Sequence, residues 1–290
     1  MDEVRAARPD PPDALRERLR GVRGLLLDMD GVIVLKGAVL PGSPDALADL
    51  ERRGIPFEIV TNTSLVSRAT LAGGLRAMGL PVAADQIVTA LSASATVTAR
   101  RFPGGPLYLL CSDDARSEFD GQVVLDDAEA GHDGATAAAV VVADAGAGFT
   151  HARLNVAFRL LRRGARLVAV HRNPWWITAE GEALDSGAFV AALEYAAGVR
   201  AALVGKPARP LFRTGIAGLH AGGVGHAAVA MVGDDVWTDI GGARAVGLRT
   251  VFVLSGRHGS AELERAARDR RRIVPDAVAT SLSEVVAALD

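Results

Sequence analysis

LLLDMDGVIV, residues 25–34, is the stretch from which the rest of the chain is read. An apolar run that stops at an acid suits a strand buried on both faces of a parallel sheet, where strands are hydrophobic throughout. Asp28 and Asp30 alternate around Met29, so at an extended strand end both carboxylates can face one side. Two acids that close repel unless they share a cation or a proton. Magnesium, a hard and oxygen-seeking cation, meets that demand and also grips a phosphate. An aspartate so placed can attack phosphorus and form an aspartyl-phosphate, which divides one hard displacement into two easier ones. The second acid can protonate the leaving group and then deprotonate water. Asp28 is thus the candidate nucleophile and Asp30 its acid/base partner. The competing reading is a surface turn or the start of a calcium loop. Against it, no further acids stand at calcium-loop positions, and Ile33-Val34-Leu35 is apolar.

Working outward, residues 43–53 have helical spacing, with Ala46, Leu47 and Leu50 on one face and Gly54 as a stop. Residues 57–60 read as a strand and 68–78 as a helix. That alternation builds a parallel sheet. It resumes later, with strands at 107–111, 139–142, 166–169, 202–204, 228–232 and 250–254 and helices that include 154–161 and 187–197. Ser281 and Glu284 have capping-box spacing at the start of a last helix. The expected fold class is α/β, a doubly wound parallel sheet.

Three further segments put phosphate-handling groups at predicted strand ends, where ligands sit in doubly wound sheets. In IVTNTS, residues 59–64, Thr61 offers a hydroxyl, and the backbone N–H groups from Asn62 onward form a nest for an anion; by itself the segment also reads as an ordinary turn. In VGKP, residues 204–207, Lys206 follows a strand and can neutralise a phosphoryl oxygen. In MVGDDVWTDIGGARAVG, residues 231–247, Asp234 ends a very apolar strand and is a natural third oxygen ligand beside Asp28 and Asp30. Asp239 can bond Lys206 or a metal-bound water, and Asp235 is either an outer acid or a helix cap. Four buried acids without a cation would be very costly, so a metal is implied if they converge.

The bulk numbers exclude other classes. A chain of 290 residues with 49% hydrophobic residues suffices for one large or two modest domains. A formal charge of −2 argues against a nucleic-acid or polybasic membrane partner. The single Cys111 can form no internal disulfide and reads as a small apolar residue, which favours a reducing, cytoplasmic setting. No apolar run reaches membrane-spanning length, and residues 1–21 read as a charged, proline-rich loose tail with at most a turn or two of helix from Pro12. Ala145-Gly146-Ala147-Gly148 lacks the third glycine and the acid of a dinucleotide fingerprint, and the six histidines show no metal spacing.

The strand-D-M-D-G-V, T-N-T-S, G-K-P and G-D-D-x-x-T-D-I segments, in that order, resemble the four motifs of the haloacid dehalogenase-like phosphatases. G-x-x-x-P-G at 37–42 and T-N-x-S-x-x-S-R at 61–68 are similar to subfamily IIA, and the resemblance covers nearly the whole chain after residue 21. It implies a Rossmann-like core from 22–94 and 201–290, with an inserted α/β cap over 95–200. It implies Asp28 as nucleophile, Asp30 as acid/base, Thr61, Asn62 and Lys206 as phosphate holders, and Mg2+ on Asp28, the Asp30 carbonyl and Asp234. The expected substrate is a small phosphomonoester, phosphoamino acid (phosphohistidine or phospholysine) or pyrophosphate, with sugar phosphates, nucleotides, phosphoglycolate and pyridoxal phosphate as alternatives. A cap-mediated homodimer is also expected. Where many subfamily members read T-N-x-D, this chain reads HRNPWWITAEGEALDSG from residue 171. His171, Arg172, Asn173, Trp175 and Trp176 are therefore the candidate specificity residues, with packing or a dimer contact as the other reading of the tryptophans. A receiver-like phosphoacceptor would share the aspartate, magnesium, threonine and lysine but need no insert of this size. A non-catalytic binding protein is the remaining alternative.

Overall fold

A computed structural model describes residues 8–178 and 181–290. The chain forms two compact units: one from the chain up to Thr61 with Ala72–Val88 and Lys206–Asp290, the other from Asn62–Leu71 and Thr89–Gly205.

The first unit is built on a six-stranded sheet in the order Ala277–Ala279, Arg249–Val253, Val229–Gly233, Gly24–Leu27, Phe57–Thr61, Ile87–Thr89. Gly24–Leu27 lies between two parallel neighbours, with Leu26 opposite Met231 on one side and Glu58 on the other. This explains the apolar run: Leu25, Leu26 and Leu27 are each 0% exposed because the strand has sheet on both edges and helices against both faces. The sheet grows in opposite directions from this strand, which makes its carboxyl end a topological switch point. Immediately beyond it, Ile33 and Val34 donate backbone bonds to Met29, and a short hairpin, Val34–Leu35 with Ala38–Val39, follows. Its two-residue turn, Lys36-Gly37, has both φ angles positive, at 51° and 76°, as a tight hairpin turn with matching twist requires.

The helices follow the predicted faces. Ser43–Arg52 buries Ala46, Leu47 and Leu50. Arg209–Ala221, absent from the sequence reading, buries Leu211, Phe212, Ile216 and Leu219.

Residues 1–7 lie outside the described residues, and the turn or two of helix expected from Pro12 is the helix Pro12–Leu19, with Leu15 and Leu19 buried. Two leucines four apart are enough to dock one turn-on-turn face, a signal hidden by the surrounding charges. Asp10 also exchanges two backbone-directed bonds with Val278 of the edge strand, at 2.8 and 2.9 Å. The capping box at Ser281 does not form, and Glu284 instead accepts from the backbone and hydroxyl of Thr280.

The second unit has its own five-stranded parallel sheet, in the order Ala202–Leu203, Arg166–Ala169, Ala139–Val142, Leu107–Leu110, Val124–Leu125. Its core joins Tyr108, Leu110, Val140, Val142 and Leu167 to Leu160, Val190 and Leu193 of the helices His151–Arg162 and Ser186–Ala197. A two-stranded hairpin, Trp175–Thr178 with Gly181–Leu184, completes it. The unit is wider than the expected 95–200 for a physical reason. A cut at residue 95 would sever the helix Ala90–Arg101, which is capped by the Thr89 hydroxyl and tied to Gln122 through Thr98.

Candidate active site

Asp28 follows the central strand and is 6% exposed. Its Oδ1 accepts from the Met29 N–H at 2.7 Å and lies 2.5 Å from Lys206 Nζ. Lys206, equally buried, is also 2.7 Å from Asp239 Oδ1. Asp234 ends the neighbouring strand Val229–Gly233, and its Oδ2 accepts from the Arg257 N–H at 2.7 Å. Side-chain oxygens of Asp28, Asp234 and Asp239 all lie within 4.8 Å of one another.

Glycines make room for this cluster. Gly31 has φ +87°, and a Cβ there or at Gly256 would run into the Asp234 carboxylate. The turn that carries Asp239, Val236–Ile240, is a single wide π-type turn, with Ile240 N–H reaching back to Asp235 C=O at 3.2 Å. Asp235 caps it, accepting from the Trp237 and Thr238 N–H groups at 2.7 and 2.9 Å. The cap reading of Asp235 is therefore present in the structure.

The electrostatics show a site short of positive charge. Burial raises the Asp28 pKa, Lys206 opposes that, and Asp234 and Asp30 add to it. Burial and then Asp239 raise Asp234. Burial and then Asp28 push Asp239 up to about 7 despite Lys206. Burial presses the Lys206 ammonium down, but Asp239 and Asp28 outweigh it and hold its pKa above the ordinary value. Three carboxylates against one ammonium leave two negative charges uncompensated when all are ionised. An all-oxygen donor set with that deficit fits a divalent hard cation.

Thr61, 2% exposed, ends the strand on the other side of Asp28, and Asn62 follows it half-buried. Asp30 is half-buried where the backbone bridges to Val34. The carboxylates that converge are therefore Asp28, Asp234 and Asp239. The last of these was read from the sequence as an outer partner.

Among the cap candidates, His171 is 3% exposed and sits 3.0 Å from Ser64 Oγ, 3.2 Å from Ser186 Oγ and 3.6 Å from Asp185 Oδ1. Burial lowers its pKa, and Asp185 and Asp144 oppose that. Arg172 forms a two-pronged pair with Glu194 at 2.5 and 3.1 Å. The Asn173 N–H points to His171 Nδ1 at 3.4 Å. Trp175 and Trp176 are 52% and 44% exposed, so they are not core packing.

The sequence reading missed the loop after Arg249–Val253. There the Ser255 hydroxyl donates to Gly31 C=O at 2.7 Å, Arg257 N–H holds Asp234, and His258 lies 3.5 Å from Asp235. The available signal was Ser255-Gly256 directly after an apolar strand of the same sheet.

A family profile described as haloacid dehalogenase-like hydrolase matches residues 25–123, and a second, HAD-hydrolase-like, matches 203–285. The chain is 36% identical over 247 residues to the phospholysine phosphohistidine inorganic pyrophosphate phosphatase of Bos taurus, covering 83% of this chain and 86% of that one. Among solved structures it is similar to the p-nitrophenyl phosphatase from Archaeoglobus fulgidus, with TM-score 0.81, 28% identity, and 92% and 99% of the two chains covered. It is also similar to the glycerol phosphate phosphatase from Mycobacterium tuberculosis in complex with magnesium, with TM-score 0.80, 25% identity, and coverage of 92% and 77%.

Proposed function

The chain belongs to the haloacid dehalogenase-like hydrolases and is a phosphatase, and we propose that it works through an aspartyl-phosphate on Asp28 with magnesium bound. One observation carries this reading: a buried carboxylate at the switch point of the sheet, held by a buried lysine and facing two more buried acids. Asp28 attacks phosphorus while Asp30 gives a proton to the leaving oxygen, and Asp30 then takes a proton from the water that cleaves the acyl phosphate. Thr61, the backbone from Asn62 and Lys206 hold the phosphoryl oxygens. Lys206 also keeps Asp28 aimed, and Asp239 holds Lys206 from its other side. Asp28 and Asp234, with the Asp30 carbonyl, would hold the metal, and Asp235 and Asp239 would support that set from outside it. Bound magnesium supplies positive charge against the transferring phosphoryl group. The magnesium-bound phosphatase of similar fold supports this assignment.

For substrate, we favour a small phosphorylated molecule: a phosphomonoester, phosphohistidine or phospholysine, or pyrophosphate. The name of the bovine relative supports the latter two classes. A magnesium-dependent screen of p-nitrophenyl phosphate, glycerol phosphate, pyridoxal phosphate, phosphohistidine and pyrophosphate tests this. No turnover in any of them would leave a binding protein as the better reading. We further propose a cytoplasmic homodimer formed through the second unit, where Trp175, Trp176, Leu184 and Tyr195 stand exposed. Light scattering of Trp176→Arg would then show a monomer where the parent shows a dimer.

A further inference from the structure

Asp239 has no contact with solvent, yet its position depends on a turn of five residues at the edge of the buried cluster. Inside, that turn is held by Asp235, whose N–H donates to Asp239 Oδ2 at 3.1 Å and whose carboxylate caps Trp237 and Thr238. Outside, the Trp237 indole N–H donates to Glu262 Oε1 at 2.6 Å. Glu262, on the helix Ser260–Arg268, has its other oxygen 2.9 Å from Arg265, and its side chain is only 13% exposed. The Arg271 guanidinium lies over the indole ring, 4.9 Å from its centroid. Val236 and Ile240 pack beside this strut against Leu263, Ala266 and Ile273.

A π-type turn is rare, occurs mostly as a single turn and is frequent at functional sites, and here its outer side is tied down by the Trp237–Glu262 bond. We propose that Trp237 and Glu262 are positioning residues for the phosphoryl transfer: their bond sets the turn that places Asp239, and Asp239 sets Lys206 on Asp28. Neither touches the reacting atoms. The proposal rests on the catalytic reading of Asp28 and Lys206. A displaced Lys206 meets the ground-state ester nearly as well as before, but it no longer meets the charge that develops in transfer. The loss therefore falls on kcat.

The test uses p-nitrophenyl phosphate with magnesium in excess, with folded fraction checked by near-UV circular dichroism. Trp237→Phe keeps the ring and removes the N–H, and kcat is expected to fall about tenfold with KM unchanged, since small misplacements cost one to two orders of magnitude. Glu262→Gln keeps an acceptor oxygen and loses only the ion pair with the largely exposed Arg265, so it retains most of the parent kcat. Glu262→Leu reproduces the Trp237→Phe loss. A crystal structure of Trp237→Phe shows the Lys206–Asp239 separation lengthened from 2.7 Å. Parent-like kcat in Trp237→Phe, a loss confined to KM, or a lost kcat with that separation unchanged would each overturn the proposal. Asp28→Asn, assayed in parallel, separates the two ideas. If it still turns over, the catalytic reading itself has failed; if it is dead while Trp237→Phe is normal, only the strut has.

Discussion

The molecule carries two parallel sheets, and buried carboxylates gather at the strand ends of one of them, while Lys206 follows Ala202–Leu203, a strand of the other. In the first unit, the residues that follow or close Gly24–Leu27, Phe57–Thr61 and Val229–Gly233 are Asp28, Thr61 and Asp234. In the second unit, those that follow Leu107–Leu110, Ala139–Val142 and Arg166–Ala169 are Cys111-Ser112, Ala143-Asp144 and Val170-His171. Ser112, Asp144 and His171 are polar too, but they bind their own unit. The Ser112 hydroxyl donates to Leu65 C=O at 2.5 Å, while the Asp144 N–H and His171 both reach Ser64. Asp114 takes the Ser67 N–H and the Thr70 hydroxyl, and Glu118 takes Arg68. The same topological position thus fastens the 62–71 segment in one sheet and gathers buried carboxylates in the other. Strand ends are where a site can be built; an uncompensated buried charge is what marks one.

The largest effect that could break this contrast is loss of the proposed nucleophile. Asp28→Asn is expected to lower kcat by about 10⁴-fold or more, since residues acting as a unit in covalent catalysis are not replaceable singly. Its melting temperature should hold or rise, because the amide removes one charge from a cluster with too many. Single-turnover kinetics with p-nitrophenyl phosphate check the first point and calorimetry the second. Comparable turnover in the variant would move the chemistry away from this strand end.

Metal dependence comes next in size. Chelation with EDTA should stop turnover and added magnesium restore it. Magnesium at a hundred times its Kd should also stabilise the parent by about 2.7 kcal/mol through mass action, and Asp234→Asn should lose most of that gain. Thermal melts with and without magnesium measure it. Activity that persists in chelator would contradict the metal role, whereas an equal magnesium shift in Asp234→Asn would put the ion elsewhere.

Much of the first unit was legible because its signals are local. A four-residue apolar strand followed by an acid, and a GDD after another, state both burial and charge within a few positions. The convergence of Asp28 and Asp234 could be inferred because each follows a strand of one alternating pattern, whereas Lys206 follows Ala202–Leu203 of the second sheet. Asp239 was harder to rank, since its inward aim depends on the wide turn at Val236–Ile240, and nothing in VWTDI separates that turn from an ordinary helix start. The second unit was legible as strands and helices but not as contacts. His171 and Arg172 looked available for substrate, yet their partners Ser64, Ser186 and Glu194 lie 107, 15 and 22 residues away. Only folding shows that these side chains are already engaged.

The two units should also titrate in opposite directions. In metal-free protein the raised carboxylates of the first unit bind protons more tightly folded than unfolded. Their contribution is full below the unfolded value of 3.8 and is lost as pH rises, through about 7 for Asp239. His171 is lowered from 6.5, so the unfolded chain binds its proton more readily, and its contribution is full above 6.5 and lost as pH falls. Urea unfolding in EDTA between pH 5 and 8 should therefore show a shallow dependence made of two opposed parts. Asp239→Asn should tilt the slope upward relative to the parent, and His171→Asn should tilt it downward. The same slope in both variants would show that the two clusters do not carry the pH dependence.

The smallest expected effect gives the sharpest contrast. Cys111 stands after the Leu107–Leu110 strand as Asp28 stands after Gly24–Leu27, and it too is 6% exposed. It is the one thiol of the chain. Burial pushes its thiol up to about 11, and Arg116 and Arg153 only partly oppose that. Almost none is thiolate near neutral pH, so it should not react with Ellman's reagent until the protein unfolds. Cys111→Ala should cost about 1 kcal/mol through the lost sulfur contacts and leave kcat and KM at parent values. A loss of turnover there, in a folded variant, would mean that the Leu107–Leu110 strand end also serves the reaction.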